Sequence, residues 1–201
     1  MRSIVLRVCI GALATGIAVE ACAHPGHGAL GGAGGMLDGF LHPLSGADHM
    51  TAMIVVGIWA VQLGGRARWA LPMSFLAAMC VGAVLGFEIA GLDRVAPSTI
   101  ESGIAASLLV LGILVAQAGR MPVLMAMALT AGFAAFHGLA HGLELPSTAA
   151  PWRYVVGFVA ATALLHLGGI VLGTTMQRRA PAMSRFAGLA SAISGVALWL
   201  G

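Results

Sequence analysis

Long apolar segments alternate with short polar breaks along most of the chain. The segments are rich in alanine, leucine, valine and glycine, and the breaks contain the proline, glycine and arginine residues that commonly stand at helix ends. Because a membrane-spanning helix needs about 20 mostly apolar residues, these segments have the length of membrane spans. The pattern predicts six transmembrane helices, at residues 47–63, 70–90, 100–117, 121–140, 152–174 and 186–200.

A glycine-rich stretch at residues 28–41 precedes the first of these helices and has no regular hydrophobic period. Three interpretations stay open for it. It extends the first helix, lies in the membrane interface, or enters the membrane and leaves on the same side.

The first 23 residues have the pattern of an export signal. Arg2 and Arg7 precede an apolar stretch at residues 8–19, and Ala21-Cys22-Ala23 is a cleavage sequence of the A-x-A type. We therefore predict a signal peptide at residues 1–23 and a mature transmembrane domain at residues 24–201.

Two alternatives to cleavage after Ala23 stay open. The apolar stretch is an uncleaved first span, although it is short for one. Otherwise Cys22 is a lipidated cysteine, although Glu20 is an unfavourable neighbour for lipidation.

The composition places the chain among membrane proteins. Of its 201 residues, 59% are hydrophobic and 8% are charged, whereas soluble domains contain about 25% charged residues. We predict an all-α, polytopic helix bundle that is embedded in the lipid bilayer. The formal charge of +3 comes from scattered arginines, so we expect no nucleic-acid partner. The sequence has no G-x-x-x-x-G-K-[ST] segment, and we expect no nucleotide-binding site.

Arginines in the short breaks predict the orientation of the bundle. If the mature N-terminus lies outside the cytoplasm, as an export signal requires, the first, third and fifth breaks face inward. Those breaks contain six arginines, against two at the other breaks. The six are Arg66, Arg68, Arg120, Arg178, Arg179 and Arg185. We therefore expect a multi-pass protein of the bacterial inner membrane whose mature N-terminus is periplasmic.

In this orientation the carboxylates collect on the outer side. They are Asp38, Asp48, Glu88, Asp93, Glu101 and Glu144. Asp93 is explained by charge balance with its neighbour Arg94, but Asp48, Glu88 and Glu144 have no such neighbour. We expect this side of the protein to attract cations.

The first candidate site is the segment from His42 to His49 at the start of the first span. Pro43 and Gly46 are expected to interrupt the helix, so that His42 can fold back towards Asp48 and His49. Two imidazoles and a carboxylate, which bind borderline divalent metals, then converge. A helix N-terminus also favours an acidic residue, which would explain Asp48 but neither histidine.

The second candidate site lies at the outer end of the fourth span. His137 and His141 are four residues apart and Glu144 is three further on, so a helix presents all three on one face. This is the spacing of two metal ligands on a zinc-binding helix. Thr130 extends the same face towards the middle of the membrane.

Small residues at a spacing of four predict where helices pack closely. Such pairs are Gly82 with Gly86, Gly138 with Gly142, and Gly169 with Gly173. The second pair lies beside the two histidines of the fourth span and keeps the approach of a neighbouring helix open.

Both candidate sites fall at the same outer depth, although about 90 residues separate them. We expect one metal site built from His42, Asp48, His49, His137, His141 and Glu144. An ionisable side chain in the membrane costs about 3 kcal/mol and usually has a function in the bundle interior. Secondary candidates for the metal pathway are Glu88, His166, His24 and His27. Hydrogen-bonded structural histidines are the alternative, above all for His166.

The two histidine segments together resemble the HupE/UreJ family of hydrogenase and urease accessory proteins. The matching patterns are His42-x5-Asp48-His49 and Phe136-His137-Gly138-x-Ala140-His141-Gly142-x-Glu144. The resemblance covers nearly the whole mature chain. It implies six spans after a cleaved signal and Ni²⁺ as the transported ion, with the six residues of the joint site, and less firmly Glu88, as its ligands. Donor chemistry alone implies only a borderline divalent ion such as nickel, cobalt, zinc or copper(II).

The leading hypothesis is a secondary or passive permease, not an enzyme, that imports nickel from periplasm to cytoplasm for hydrogenase or urease maturation. Co²⁺ and Zn²⁺ are alternative cargoes, and no organic cofactor is expected. Two other classes stay open. An intramembrane hydrolase would hold zinc with three ligands and leave a fourth position for water, and an accessory protein would bind metal without transporting it. The sequence does not fix the number of chains, so a homo-oligomer also stays open.

Overall fold

The computed structural model of the protein describes residues 35–90, 96–144 and 151–201. These ranges are helical, which confirms the predicted all-α class. The helices are α1 (Met36–Ser45), α2 (Ala47–Leu63), α3 (Ala67–Ile89), α4 (Pro97–Ala116), α5 (Val123–Leu143), α6 (Pro151–Arg179) and α7 (Pro181–Leu200).

Five of these helices, α3 to α7, are long and apolar enough to cross a membrane. Helices α1 and α2 meet at an angle of 83°, and the number of spans rises to six if this bent pair counts as one. The chain is therefore a multi-pass helical membrane protein. The predicted signal peptide at residues 1–23 lies outside the described residues.

The bounds of α2 agree with the prediction because a glycine stands at each end. Gly46 is extended and precedes the helix. At the other end, Gly64 has φ +73° and donates its backbone N–H to the carbonyl of Ala60 over 3.1 Å. Gly65, with φ +51°, continues the turn into α3. A positive φ is readily adopted only by glycine, so these residues fix the tight turn between α2 and α3.

Helix α6 is longer than predicted and continues past residue 174 to Arg179. Its last turns contain polar side chains that are satisfied within the protein. The hydroxyl of Thr174 donates to the carbonyl of Ile170 over 2.7 Å, and the amide of Gln177 donates to the carbonyl of Val61 over 3.2 Å. Polarity alone therefore did not mark the end of this helix.

The prediction that Pro43 interrupts the helix near the first candidate site was wrong. Pro43 lies inside α1, and the chain bends only at Gly46. Proline lacks the backbone N–H that would bond to the preceding turn. Because α1 ends at Ser45, only two residues follow Pro43 and a single lost bond is tolerated. His42 is thus a helical residue, and the bend after it turns α1 across the end of α2.

Helices α3 and α5 pack with their backbones close together. A Cβ atom on Gly82 would lie 3.2 Å from the Cα of Gly138, and one on Gly138 would lie 2.9 Å from the backbone nitrogen of Ala83. Gly86 and Gly142 make the next contact along the same pair of helices. The close packing predicted for the pair Gly82 and Gly86 and for the pair Gly138 and Gly142 is therefore confirmed, and the two pairs pack against each other.

The interior of the bundle is apolar around α2 but contains a row of polar side chains. Helix α2 is buried from Ala52 to Val61 except at Ile54, which is partly buried, whereas large apolar residues such as Leu124 and Val171 point outward, where a bilayer would solvate them. The buried polar residues among those described are Ser107, Thr130, His137, His141, Thr162, His166, Ser184 and Ser191. Three histidines therefore face the bundle interior, as expected for ionisable groups in a membrane.

Candidate metal site at one end of the bundle

His42, His141 and Glu144 converge at the end of the bundle where α2 begins and α5 ends. The Nε2 atom of His42 lies 2.9 Å from Nδ1 of His141 and 3.2 Å from Oε2 of Glu144. One ligand atom from each of the three residues lies within 4.8 Å of the others, close enough to hold a single metal ion. We call this group the mouth site.

The mouth site is built from the ends of two helices. His42 stands in the last turn of α1, and the bend at Gly46 brings that turn against α5 and α6. His141 stands in the last turn of α5, and Glu144 is its C-terminal cap, where its backbone N–H donates to the carbonyl of Ala140 over 3.2 Å. His141 is buried, while Glu144 is half exposed. An ion can therefore reach the carboxylate from outside the bundle.

Asp48 fixes the orientation of the second histidine of the first segment. Its Oδ1 atom accepts the Nδ1–H of His49 over 2.9 Å and the backbone N–H of the same residue over 2.8 Å. A proton on Nδ1 leaves a lone pair on Nε2, which is the atom that binds a metal. The Nε2 of His49 is buried and has no hydrogen-bond partner within the described part of the chain.

Ser107 on α4 fixes the orientation of His137 in a similar way. The Ser107 hydroxyl donates its one hydrogen to the carbonyl of Ile104 over 2.6 Å, so it accepts from Nε2 of His137 over 3.0 Å. The proton of His137 is then on Nε2 and the lone pair on Nδ1. That Nδ1 atom is also buried and lacks a hydrogen-bond partner among the described residues.

The four histidines of the two segments form one continuous cluster, with His141 at its centre. The ring of His141 lies 4.8 Å from that of His42 and 4.4 Å from that of His49, and His49 lies 4.9 Å from His137, all between ring centroids. Phe158 of α6 closes one side of the cluster, 4.4 Å from His141. The imidazoles thus extend from the half-exposed mouth into the apolar interior.

The structure divides the six predicted ligands into two layers. His42, His141 and Glu144 form the mouth site, and the remaining three lie beside it as the Asp48–His49 pair and His137. The two sequence segments therefore do meet in space.

The secondary candidates lie elsewhere. Glu88 is exposed near the end of α3 and takes no part in the mouth site. His166 is buried in the middle of α6. His24 and His27 lie outside the described residues.

Sequence reasoning missed the residues that hold the imidazoles in place. Ser107 orients His137, while Tyr154 and Phe158 pack their rings near His42. A single serine or aromatic residue in an apolar helix carries no signal of such a role. Only the fold of α4 and α6 around α5 reveals it.

The donor atoms suit a borderline divalent cation. Imidazole nitrogen binds nickel, cobalt, zinc and copper(II), whereas calcium and magnesium prefer sites made only of oxygen. The Glu144 carboxylate at the mouth and the Asp48 carboxylate beside His49 supply negative charge that offsets the charge of a cation leaving water. Two buried imidazole lone pairs without hydrogen-bond donors, on His49 and His137, are a further sign that this cluster receives a cation.

Fold and site together define a polytopic helical membrane protein with an imidazole–carboxylate group suited to a divalent metal. The model of the HupE / UreJ protein family matches residues 12–198 of the chain. A relative, Protein HupE of Rhizobium leguminosarum bv. viciae, is 42% identical over 170 residues, which cover 84% of this chain and 86% of that protein. The chain therefore belongs to the HupE/UreJ family, as the two histidine segments indicated. No solved structure shows significant similarity to it.

Proposed function

We propose that the protein is a permease that carries nickel, or cobalt, from the periplasm into the cytoplasm for the maturation of a metalloenzyme such as hydrogenase or urease. The observation that carries this proposal is the contact of His42 with both His141 and Glu144, which joins two distant segments into one group of metal ligands. Zn²⁺ fits the same donors and is an alternative cargo. Membership of the HupE/UreJ family supports nickel as the cargo.

The proposed orientation places the mouth site on the periplasmic side. The arginine-rich breaks then face the cytoplasm, in keeping with the positive-inside rule. In this orientation residues 1–23 are a cleaved signal, and the mature chain, residues 24–201, begins in the periplasm of an inner-membrane protein.

In the proposed mechanism the mouth site captures the ion. Glu144 is half exposed and attracts the hydrated cation, and His42 and His141 replace part of its water shell. The carboxylate offsets some of the charge that the membrane interior would otherwise oppose. From the mouth the ion passes to Nε2 of His49 and Nδ1 of His137, which have no hydrogen-bond partner in the described part of the chain. The ring of His49 contacts the rings of both His141 and His137.

An intramembrane hydrolase accounts less well for this arrangement. Three ligands and a water molecule would suffice for such an enzyme, and all of them would be at the mouth. The additional buried imidazoles of His49 and His137 have a use only if the ion moves inward. A metal-binding accessory protein that transports nothing would likewise have no use for the buried imidazoles of His49 and His137.

Radiolabelled nickel uptake tests the function in bacterial cells that lack their own nickel and cobalt importers. Cells that express the unaltered protein should accumulate nickel, and cells that express His141→Ala at the same membrane level should not. Thr175→Val serves as the matched control, because Thr175 is exposed and its hydroxyl bonds only to its own helix. Uptake by His141→Ala equal to that of the control would contradict the proposed mouth site.

A further inference from the structure

We infer that His166 is the ligand of a second, deeper metal position, which receives the ion after the mouth site and the histidine cluster. This inference rests on the proposed permease function and extends it to the interior half of the pathway. Its basis is a set of four buried polar atoms, two on α5 and two on α6, that have no hydrogen-bond partner within the described part of the chain. They are Nε2 of His166, Nδ1 of His137, and the hydroxyl oxygens of Thr130 and Thr162.

The unpartnered Nε2 atom of His166 carries a lone pair and no proton. Its Nδ1–H donates to the carbonyl of Thr162 one turn earlier over 2.8 Å, so the neutral ring has its lone pair on Nε2. His166 is 1% exposed. A buried nitrogen acceptor without a donor is unfavourable, and such groups in native proteins call for an explanation. A cation supplies one, because it binds the lone pair directly.

The two threonines are unusual among those of the same bundle. Thr174 and Thr175, nearer the C-terminus of α6, donate their hydroxyls to the carbonyls one turn back over 2.7 and 2.8 Å. This is the ordinary way for a helical threonine to satisfy its hydroxyl. Thr162 and Thr130 are completely buried and make no such bond. Their oxygens are therefore free to join a polar position inside the bundle.

His166 lies on the line that continues the cluster inward. The rings of His137 and His166 both pack on Phe75, at 5.6 and 4.9 Å between centroids. Along α6, His166 follows Phe158, which touches His141, by eight residues, or about 12 Å at the helical rise of 1.5 Å per residue. The ring of His166 is thus about two turns deeper than the mouth site.

The deeper position differs from the mouth in charge. Aspartate and glutamate are absent from residues 49–87, 102–143 and 145–201 of the sequence. Residues 91–95, which contain Asp93, lie outside the described part of the chain. The unpartnered atoms assigned to this position belong to neutral imidazole and hydroxyl groups. They suit a borderline divalent cation but bind it more weakly than a site with a carboxylate. An ion that is held weakly there can leave towards the cytoplasm.

Cobalt(II) is the probe that separates the two positions, because its visible absorption reports its ligands. The test uses the full chain in detergent with Cys80→Ser, and the mouth and the histidine cluster beside it are disabled by His42→Ala, Glu144→Gln and His49→Ala. This protein should still bind cobalt, more weakly than the unaltered one. Adding His166→Phe should remove the remaining binding.

A cysteine at the same position gives a signature that a merely structural histidine would not. In the mouth-disabled protein, His166→Cys should produce a sulfur-to-cobalt charge-transfer band. Thr175→Cys, on the exposed side of the same helix, should not. Circular dichroism shows whether each variant retains its helices, and the cysteine variant keeps the test decisive if His166→Phe does not fold.

Absence of the band in a folded His166→Cys protein, or cobalt binding that His166→Phe leaves unchanged, would overturn the inference. The permease function is tested separately by nickel uptake of the unaltered protein. If that protein carries no nickel, the proposed function fails, while the cobalt result still decides whether His166 is a metal ligand.

Discussion

Nε2 of His42 and Nδ1 of His141 lie 2.9 Å apart, although 99 positions separate the two residues in the chain. The contact exists because α1 turns through 83° at Gly46 and crosses the end of α5. Glu144 caps the same end of α5 and lies 3.2 Å from the same His42 nitrogen. A pair of histidines so arranged, with a carboxylate beside it, is suited to capture a divalent cation at the edge of a membrane.

The charge of Glu144 should be essential to uptake. Glu144→Gln keeps the size of the side chain and removes the charge that offsets the cation's lost hydration. An interaction with a charged group contributes about 1.5–3 kcal/mol, so nickel uptake at limiting concentration should fall about tenfold or more. The initial rate of radiolabelled nickel uptake measures this.

Asp93→Asn is the control for Glu144→Gln, because Asp93 is adjacent to Arg94 in the sequence and is expected to balance it. This variant should transport as the unaltered protein does. Normal transport by Glu144→Gln would remove Glu144 from the mouth site and leave only the histidines there.

Ser107 should matter for transport through His137. Ser107→Ala leaves the Nε2–H of His137 buried without an acceptor, at a cost of about 1–3 kcal/mol, and frees the ring to turn. Nickel uptake should fall while the protein still folds. The comparison is Ser191→Ala, which removes a buried hydroxyl that donates to the carbonyl of Leu108 over 3.0 Å and touches no histidine.

Both serine variants should remain folded in detergent, but only Ser107→Ala should lose nickel uptake. Equal uptake by both would mean that Ser107 is only a packing residue.

Close packing of α3 on α5 should tolerate no side chain at Gly138. A Cβ atom there would lie 2.9 Å from the backbone nitrogen of Ala83 and would also meet the carbonyl of Met79. Gly138→Ala should therefore force the helices apart and lower the midpoint of thermal unfolding. Gly132→Ala, on the same helix, meets open space and should be neutral or stabilising by up to about 1 kcal/mol. A Gly138→Ala protein as stable as Gly132→Ala would contradict this packing.

The mature protein should begin at His24. Intact-mass measurement of the purified protein decides this, since cleavage after Ala23 removes residues 1–23. A chain that retains those residues would oppose the proposed orientation, because an uncleaved first span would move the arginine-rich breaks outside.

Sequence patterns located the long helices, but both bounds agree to the residue only where glycine stands at each end; α7, for example, begins at Pro181 and not at the predicted residue 186. The bounds of α2 agree to the residue because Gly46 and Gly64 flank it. The end of α6 was missed because Thr174 and Gln177 are polar yet bond within the protein. The interruption predicted at Pro43 was also wrong, because a proline near the end of a helix costs only one hydrogen bond.

For the site, spacing along a helix identified His137 and His141, and Gly46 marked the bend between His42 and the Asp48–His49 pair. The division into a mouth and an inner layer could not be predicted, because it depends on the bend between α1 and α2. The same is true of Ser107, whose role exists only where α4 packs against α5. Contacts between distant helices set these features, and no local pattern encodes them.

Nickel uptake by proteoliposomes that contain only the purified protein decides whether this chain is a permease. Vesicles with the unaltered protein should accumulate radiolabelled nickel, and vesicles with His141→Ala should accumulate no more than empty vesicles. Reconstitution removes every other importer and enzyme, so any transport belongs to this chain. Nickel that binds to the outside of the vesicles without entering, in protein shown to be folded, would contradict a permease and favour a metal-binding accessory protein.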